Sequence, residues 1–249
     1  MAEQYIEIRI KRQKDGESAP YWEEFQVTYQ PNMNVISLLQ EIQRNPVTKQ
    51  GQPTTPVAWD CSCLEEVCGA CTMVINGQAR QSCSALVDKL EKPVVLEPMR
   101  KFPVVRDLVV DRARMFEALK KVHAWVEIDG TYDLGPGMRQ SPQNQEETYD
   151  FSRCMTCGCC VDACPQYTDL SAFVGPSALG QVFLFNKNPV GSFKAGERLR
   201  ILMGEGGIQE CGNAQNCVRV CPKEIPLTKG IAALNRATMS QFIKDLFNK

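Results

Sequence analysis

The first residues alternate between apolar and polar. Ile6, Ile8 and Ile10 fall on one face and Glu7 and Arg9 on the other, which predicts a half-buried strand over residues 5–10. Asp15-Gly16 is a turn signal, and Phe25, Val27 and Tyr29 resume the alternation beyond it, so the two stretches predict a hairpin. The period then changes to that of a helix. Val35, Leu38, Leu39 and Ile42 stand at i, i+3, i+4 and i+7, with Asn34 as N-cap and Pro46 barring a long continuation. A Pro/Thr/Gly-rich loop covers residues 48–56, Thr72–Ile75 reads as a strand entering an Asn76-Gly77 hairpin, and residues 93–97 read as a last short strand.

Beyond residue 97 the pattern loses its strand character. Residues 98–110 predict an extended crossing between domains, held out by Pro98 and Pro103. Asp111 is placed to cap a helix whose face is Met115, Leu119 and Val122. Residues 130–145, with Gly135-Pro136-Gly137, predict turns that wrap the surface. Ser177 is expected to cap a helix through Phe185, residues 197–203 to form another, and Thr228 to start a third running to Arg236. Met239, Phe242, Ile243 and Leu246 then give a further helical face, expected to pack in the core.

Composition narrows the class. The chain has 249 residues, 43% hydrophobic and 23% charged, with net charge −1, an ordinary globular composition without the basic footprint of a nucleic-acid binder. Its apolar runs are too short to span a bilayer, and no positive region followed by an apolar one marks a signal peptide. Thirteen cysteines without a secretory signal argue for metal ligation over disulfides. His123 is the only histidine; it borders the 115–122 face, which favours a packed or surface role, and nothing pairs with it as a hydrolytic triad.

The cysteines fall into three groups. Cys63, Cys68 and Cys71 are spaced C-x4-C-x2-C with Cys83 following, which is plant-type [2Fe–2S] spacing. Cys61 stands outside that register as a spare, and Glu65 and Glu66 read as solvated loop charges. With Cys159 set aside, Cys154, Cys157, Cys160 and Cys164 follow the bacterial C-x2-C-x2-C-x3-C-P run, whose fourth cysteine ligates the other cluster. The partner run is Cys211, Cys217 and Cys221 before Pro222, with Ala214 where its second cysteine belongs. A methyl group cannot ligate iron. By count, Cys154, Cys157, Cys160 and Cys221 are assigned to a [4Fe–4S] cluster, and Cys164, Cys211 and Cys217 to a [3Fe–4S] cluster. Zinc is the alternative metal for Cys-x2-Cys pairs, although interlocked runs of this kind are seldom zinc sites. Cys159, between ligands, reads as packing or as a hydrogen-bond donor to a sulfide.

The fold class expected is α+β: a ubiquitin-like, plant-type ferredoxin β-grasp domain over residues 1–108, then an all-α, bacterial-ferredoxin-like domain over residues 109–249. The combination of cluster motifs resembles the iron–sulfur subunit of succinate dehydrogenase and of its relative, fumarate reductase. Residues 97–107 (Glu-Pro-Met-Arg-Lys-Phe-Pro-Val-Val-Arg-Asp) and 213–217 carry the same resemblance, which covers nearly the whole chain. It implies an electron-transfer subunit that takes electrons singly from the FAD of a flavoprotein and passes them through [2Fe–2S], [4Fe–4S] and [3Fe–4S] clusters to a quinone held by a membrane anchor. The chain itself then carries no catalytic residue, and it sits peripherally at the cytoplasmic face of the membrane. The same wire serves fumarate reduction in the opposite direction. A reading of another class is a free-standing ferredoxin-like carrier or a zinc-binding module. The likeness fails at one place. Ubiquinone-linked members have tryptophans shortly after the Cys-Pro and a histidine after the first cysteine of the partner run, where this chain has Thr168, Asp169 and Gly212. That departure points to menaquinone and a di-haem cytochrome b anchor, with Pro165 retained as a quinone contact.

Overall fold

The computed structural model describes residues 4–127 and 137–247, which form two compact units. One comprises residues 1–112 together with 155–162; the other comprises 113–154 and 163–249.

The first unit is built on a five-stranded sheet. Strands β1 (Tyr5–Arg12) and β2 (Tyr21–Thr28) pair antiparallel along their full length, with Ile8 opposite Phe25 and Ile6 opposite Val27. Strands β3 (Thr72–Ile75) and β4 (Gln78–Gln81) form a second hairpin. Asn76 and Gly77 turn it with φ of 48° and 82°, the two left-handed residues that a tight hairpin needs. Strand β5 (Val94–Glu97) lies between the hairpins, parallel to β1 and antiparallel to β3, giving the order β2-β1-β5-β3-β4. Helix α1 (Val35–Arg44) buries Val35, Leu38, Leu39 and Ile42 against the inward isoleucines of β1, so the alternation of one element meets the helical stripe of the other. Removing one such side chain, as in Leu38→Ala, is worth roughly 2–5 kcal/mol. The helix is capped where the sequence places it: Asn34 Oδ1 accepts the Ser37 N–H at 2.9 Å.

Residues 98–110 do not run straight across. They fold back as a small hairpin of β6 (Val104–Arg106) and β7 (Val109–Val110). Its turn residue Asp107 is buried and forms a two-pronged ion pair with the buried Arg12, at 2.8 and 3.1 Å. The same carboxylate accepts the Ala58 N–H at 2.8 Å, so the segment leading into the cysteine loop is tied to the sheet.

The described residues of the second unit are helical. Helix α2 (Ala113–Lys121) buries Met115, and Val122 is buried just past its end, while Leu119 is half-buried. Helix α3 is Pro142–Ser152; it begins inside the stretch expected to be turns, because Ser141 accepts the Asn144 N–H and Pro142 suits a first helical position. Residues 130–136 of that stretch lie outside the described residues. A single turn, α4 (Cys159–Asp162), belongs to the first unit. Helix α5 (Pro176–Lys187) starts one residue before Ser177. Its N-cap is Gly175 at φ 87°, and Ser177 Oγ is buried and caps nothing, which corrects the expected cap. Helix α6 (Ala195–Met203) is followed by the single turn α7 (Asn216–Arg219).

The last helix corrects two expectations. Helix α8 runs unbroken from Leu227 to Phe247 in place of two helices. Leu227, Ile231 and Leu234 are buried, with α8 packed on α5 and α6. Met239, Phe242, Ile243 and Leu246, expected in the core, are 47–62% exposed. Among the described residues no helix is long and apolar enough to cross a membrane. His123 lies past the end of α2 with its ring 4.9 Å from that of Trp125, and its carbonyl accepts from the buried Arg198. The histidine therefore packs, as its place in the sequence suggests.

Candidate functional site: three groups of cysteines

The first group sits on a loop whose backbone turns inward. Leu64, Glu66 and Gly69 have φ of 62°, 55° and 73°, a left-handed conformation that side chains other than glycine's resist. The result is a set of amides aimed at sulfur. Cys63 Sγ accepts the N–H groups of Glu65, Val67 and Cys68 at 3.3–3.4 Å, and Cys68 Sγ accepts those of Cys63 and Ala70 at 3.5 and 3.4 Å. These three backbone donors hold the Cys63 thiol down at about 7. Cys61 lies nearby, but burial and then the charge of Asp60 push its thiol up. Cys71 and Cys83 are buried at the ends of β3 and β4, their sulfurs 3.4 Å apart, and burial pushes Cys83 up to about 11. Asn34 Nδ2 donates to the Cys83 carbonyl at 2.9 Å, so the α1 cap also fixes this cysteine. Glu65 is exposed as expected; Glu66 is not free in solvent, since its carboxylate accepts the Ser84 hydroxyl.

Gly69 marks a close approach within the first unit. A Cβ there would stand 2.9 Å from Cys157 Cα and Cβ, so only glycine lets the two cysteine loops meet. Arg112 pins both, donating to the Gly69 carbonyl at 3.0 Å and to that of Cys157 at 3.5 Å. Cys157 and Cys160 are buried beside Cys159, which is wholly buried, and Cys154 is half-buried. The Cys159 thiol hydrogen-bonds Cys157 and lowers it to about 7. Cys159 also meets Gln81 Nε2 at 3.7 Å.

The third group lines a cavity in the second unit. Cys164, Cys211 and Cys217 line one pocket with Pro165, Gln166, Ala214 and Ile231. Burial pushes the Cys217 thiol up to about 11. Cys221 is half-buried and follows this run. Gln166 fills the space beside Gly212, where a Cβ would stand 2.6 Å from its Nε2.

The backbone around the two runs repeats. Thr156 and Gly158, on either side of Cys157, have positive φ of 52° and 91°; Asn213 and Gln215, on either side of Ala214, have positive φ of 52° and 60°. One helical turn starts two residues after each centre, α4 at Cys159 and α7 at Asn216. The second run is a conformational copy of the first with Ala214 at the place of Cys157.

These donor sets fit iron–sulfur clusters. Thiols supply the soft ligands, and the converging amides stabilise the thiolate charge that ligation requires. The thiols are spread more widely than one ion would gather them: among the described residues no three Cys, His, Asp or Glu side chains converge on a single metal position.

Two polar residues at the site escape a reading of motifs. Gln81 is fully buried beside Cys71 and Cys159, and Arg112 joins the two loops. A signal for Gln81 exists, since it shares the inward phase of β4 with buried Ala79 and is a polar residue in an apolar position. Arg112 has no such signal.

Comparison with known proteins places the chain. A family described as a 2Fe-2S iron-sulfur cluster binding domain matches residues 7–117, and one described as a 4Fe-4S dicluster domain matches residues 150–225. The succinate dehydrogenase iron-sulfur subunit of Bacillus subtilis is 58% identical over 97% of this chain and 96% of its own length. The fumarate reductase iron-sulfur subunit of Mycobacterium tuberculosis is 33% identical over 74% of this chain and 75% of its own, and that of Wolinella succinogenes 28% over 90% and 92%. A chain of the Mycobacterium smegmatis Sdh1 complex, in its apo form, superposes with a TM-score of 0.82 at 22% identity over 96% of this chain and 98% of that one, which shows a shared fold. On these matches the chain belongs to the family of iron–sulfur subunits of succinate dehydrogenase and fumarate reductase.

Proposed function

We propose that this chain is the electron-transfer subunit of a succinate dehydrogenase, standing between a flavoprotein partner that holds FAD and a membrane anchor that presents a quinone. The 58% identity to a succinate dehydrogenase subunit, against 28–33% to fumarate reductase subunits, favours succinate oxidation as the direction. The observation that carries the reading is the repeated backbone of the two runs, with Ala214 at the position of Cys157. A site so built is one thiolate short.

Cys63, Cys68, Cys71 and Cys83 hold a [2Fe–2S] cluster; the amides on Cys63 and Cys68 support their thiolates. Cys154, Cys157, Cys160 and Cys221 hold a [4Fe–4S] cluster. Cys164, Cys211 and Cys217 hold a [3Fe–4S] cluster, and Pro165 lines the same cavity on the quinone side. When bound, the clusters supply one-electron redox chemistry that no amino-acid side chain offers at these potentials, which span roughly −700 to +450 mV. The protein's part is to bury Cys71, Cys83, Cys157, Cys160 and Cys217 and to orient backbone hydrogen bonds toward the more exposed Cys63 and Cys68.

The mixed sheet with a parallel β1–β5 pair and α1 across it supports a ubiquitin-like β-grasp for residues 1–108, followed by a helical, bacterial-ferredoxin-like domain over residues 109–249. Gln166 fills the space beside Gly212, where ubiquinone-linked members place a histidine. The departure from the ubiquinone-linked pattern at Thr168, Asp169 and Gly212 supports menaquinone as the acceptor and a di-haem cytochrome b as the anchor, with the chain at the cytoplasmic face of the membrane.

Low-temperature EPR on the air-oxidised complex tests the assignment. Oxidised [2Fe–2S] and [4Fe–4S] clusters are silent there, whereas an oxidised [3Fe–4S] cluster is paramagnetic. The expected result is a narrow signal that vanishes on adding succinate. Iron and sulfide without that signal would mean a fourth ligand at the Ala214 site, and zinc without sulfide would overturn the reading.

A further inference from the structure

Gln81 is one of the buried polar side chains of the first unit. Gln81 has no exposed surface, and its side-chain amide touches three groups. Cys71 Sγ donates to Oε1 at 3.4 Å, Nε2 donates to Thr72 Oγ1 at 2.7 Å, and Nε2 faces Cys159 Sγ at 3.7 Å. Thr72 passes its own proton to the Gly69 carbonyl at 2.9 Å. Cys159 is the chain neighbour of Cys160 and stands two residues from Cys157. One amide therefore connects Cys71 on β3 with the residue wedged between Cys157 and Cys160. Such a group is costly to bury: an amide without partners loses its hydration, so its presence here is sustained only by those bonds. The apolar phase of β4 would accept a leucine in its place.

We propose that Gln81 is a positioning residue that sets the potential of the [2Fe–2S] cluster and couples its ligand Cys71 to the Cys157–Cys160 loop. This rests on the reading of Cys71 as a [2Fe–2S] ligand and of Cys157 and Cys160 as [4Fe–4S] ligands. The chemistry follows from the donor inventory. On iron binding Cys71 releases its proton to solvent and becomes an acceptor only. An amide oxygen facing that thiolate would repel it. A half-turn of the amide presents Nε2–H to Cys71 and Oε1 to the Cys159 thiol and the Thr72 hydroxyl, each of which swings its one proton to Oε1, Thr72 giving up the Gly69 carbonyl and Cys159 giving up Cys157. A hydrogen bond to a ligating sulfur favours the more negative, reduced cluster. The same turn keeps the Cys159 side of the bridge closed.

Two variants of the intact complex test this: Gln81→Leu, which removes donor and acceptor, and Cys159→Ala, which removes the far end of the bridge. Iron and sulfide content is measured first, then the [2Fe–2S] midpoint by redox titration followed by EPR. The expected result is full cluster content with a lowered midpoint. At a poise fixed at the wild-type midpoint, the reduced-to-oxidised ratio falls about three- to tenfold in Gln81→Leu and less in Cys159→Ala. An unchanged midpoint and line shape in cluster-replete Gln81→Leu overturns the proposal, even if thermal stability has dropped. Should Gln81→Leu fail to assemble, Cys159→Ala decides alone: a lowered midpoint supports the bridge and an unchanged one overturns it. A wild-type complex with no [2Fe–2S] signal would sink the ligand assignment itself, whatever the variants do.

Discussion

At Asn34 one amide side chain serves two elements. Its Oδ1 accepts the Ser37 N–H and hydroxyl, which caps α1, and its Nδ2 holds the Cys83 carbonyl. The two roles separate by substitution. Asn34→Ser keeps a cap but lacks the reach to Cys83, and is expected to cost about 1 kcal/mol, the worth of one hydrogen bond. Asn34→Ala loses the cap as well and is expected to cost about 2 kcal/mol. Unfolding midpoints of the two variants against wild type check the ordering; no loss in Asn34→Ser would mean the tether to Cys83 contributes nothing, and equal losses would mean the cap contributes nothing. The left-handed residues at 64, 66, 156, 213 and 215 are a second effect at this scale. None is glycine, so each costs conformational energy that the surrounding loop offsets by turning amides toward sulfur or closing a tight corner.

At the scale of elements, α8 separates periodicity from burial. Its inner half packs on α5 and α6 through Leu227, Ile231 and Leu234, and its outer half carries an equally regular apolar stripe into solvent. What fastens the far end is polar: Arg200 on α6 binds Asp245 on α8 through two bonds of 2.9 and 2.7 Å, and Gln241 adds a third at 2.8 Å. Arg200 first, then Gln241, hold the Asp245 carboxyl below the ordinary carboxylate range. A carboxylate with a depressed native pKa stabilises the fold above its unfolded value, about 4, and that contribution is lost as pH falls through the native value. Asp245→Asn is therefore expected to lower the thermal midpoint by the same amount at pH 7 and pH 5, with the gap closing below about pH 4. A gap that does not narrow at all between pH 5 and pH 3 would show that shape, not charge, makes the contact.

At the scale of the whole molecule, an α+β chain joins a sheet-based unit to a helical one, and the 154–164 run is divided, with Cys157, Cys159 and Cys160 in the first unit and Cys154 and Cys164 in the second. The two runs share one backbone pattern and differ at Ala214. Ala214→Cys should supply the missing thiolate in the cavity of Cys164, Cys211 and Cys217. The expected outcome is one more iron per chain by analysis, loss of the EPR signal of the oxidised complex, and slower quinone reduction. Four irons at that site with unchanged quinone reduction would contradict its place at the downhill end of the path.

The three groups of cysteines, the hairpins, α1 with its cap and the alanine at 214 were all written in local pattern. Iron–sulfur loops demand fixed spacings, and strands and helices impose periods of two and 3.6 that a single chain displays without any partner. Other features depended on residues distant in sequence. The return of 104–110 as a hairpin required Arg12 to meet Asp107, the start of α5 at Pro176 bypassed the hydroxyl of Ser177, and Glu66 found Ser84. Gln81 acquired its three partners only when β3, β4 and the 157–160 turn closed around it. Periodicity states which residues share a face, but burial depends on whether another element covers that face, and for the end of α8 none among the described residues does.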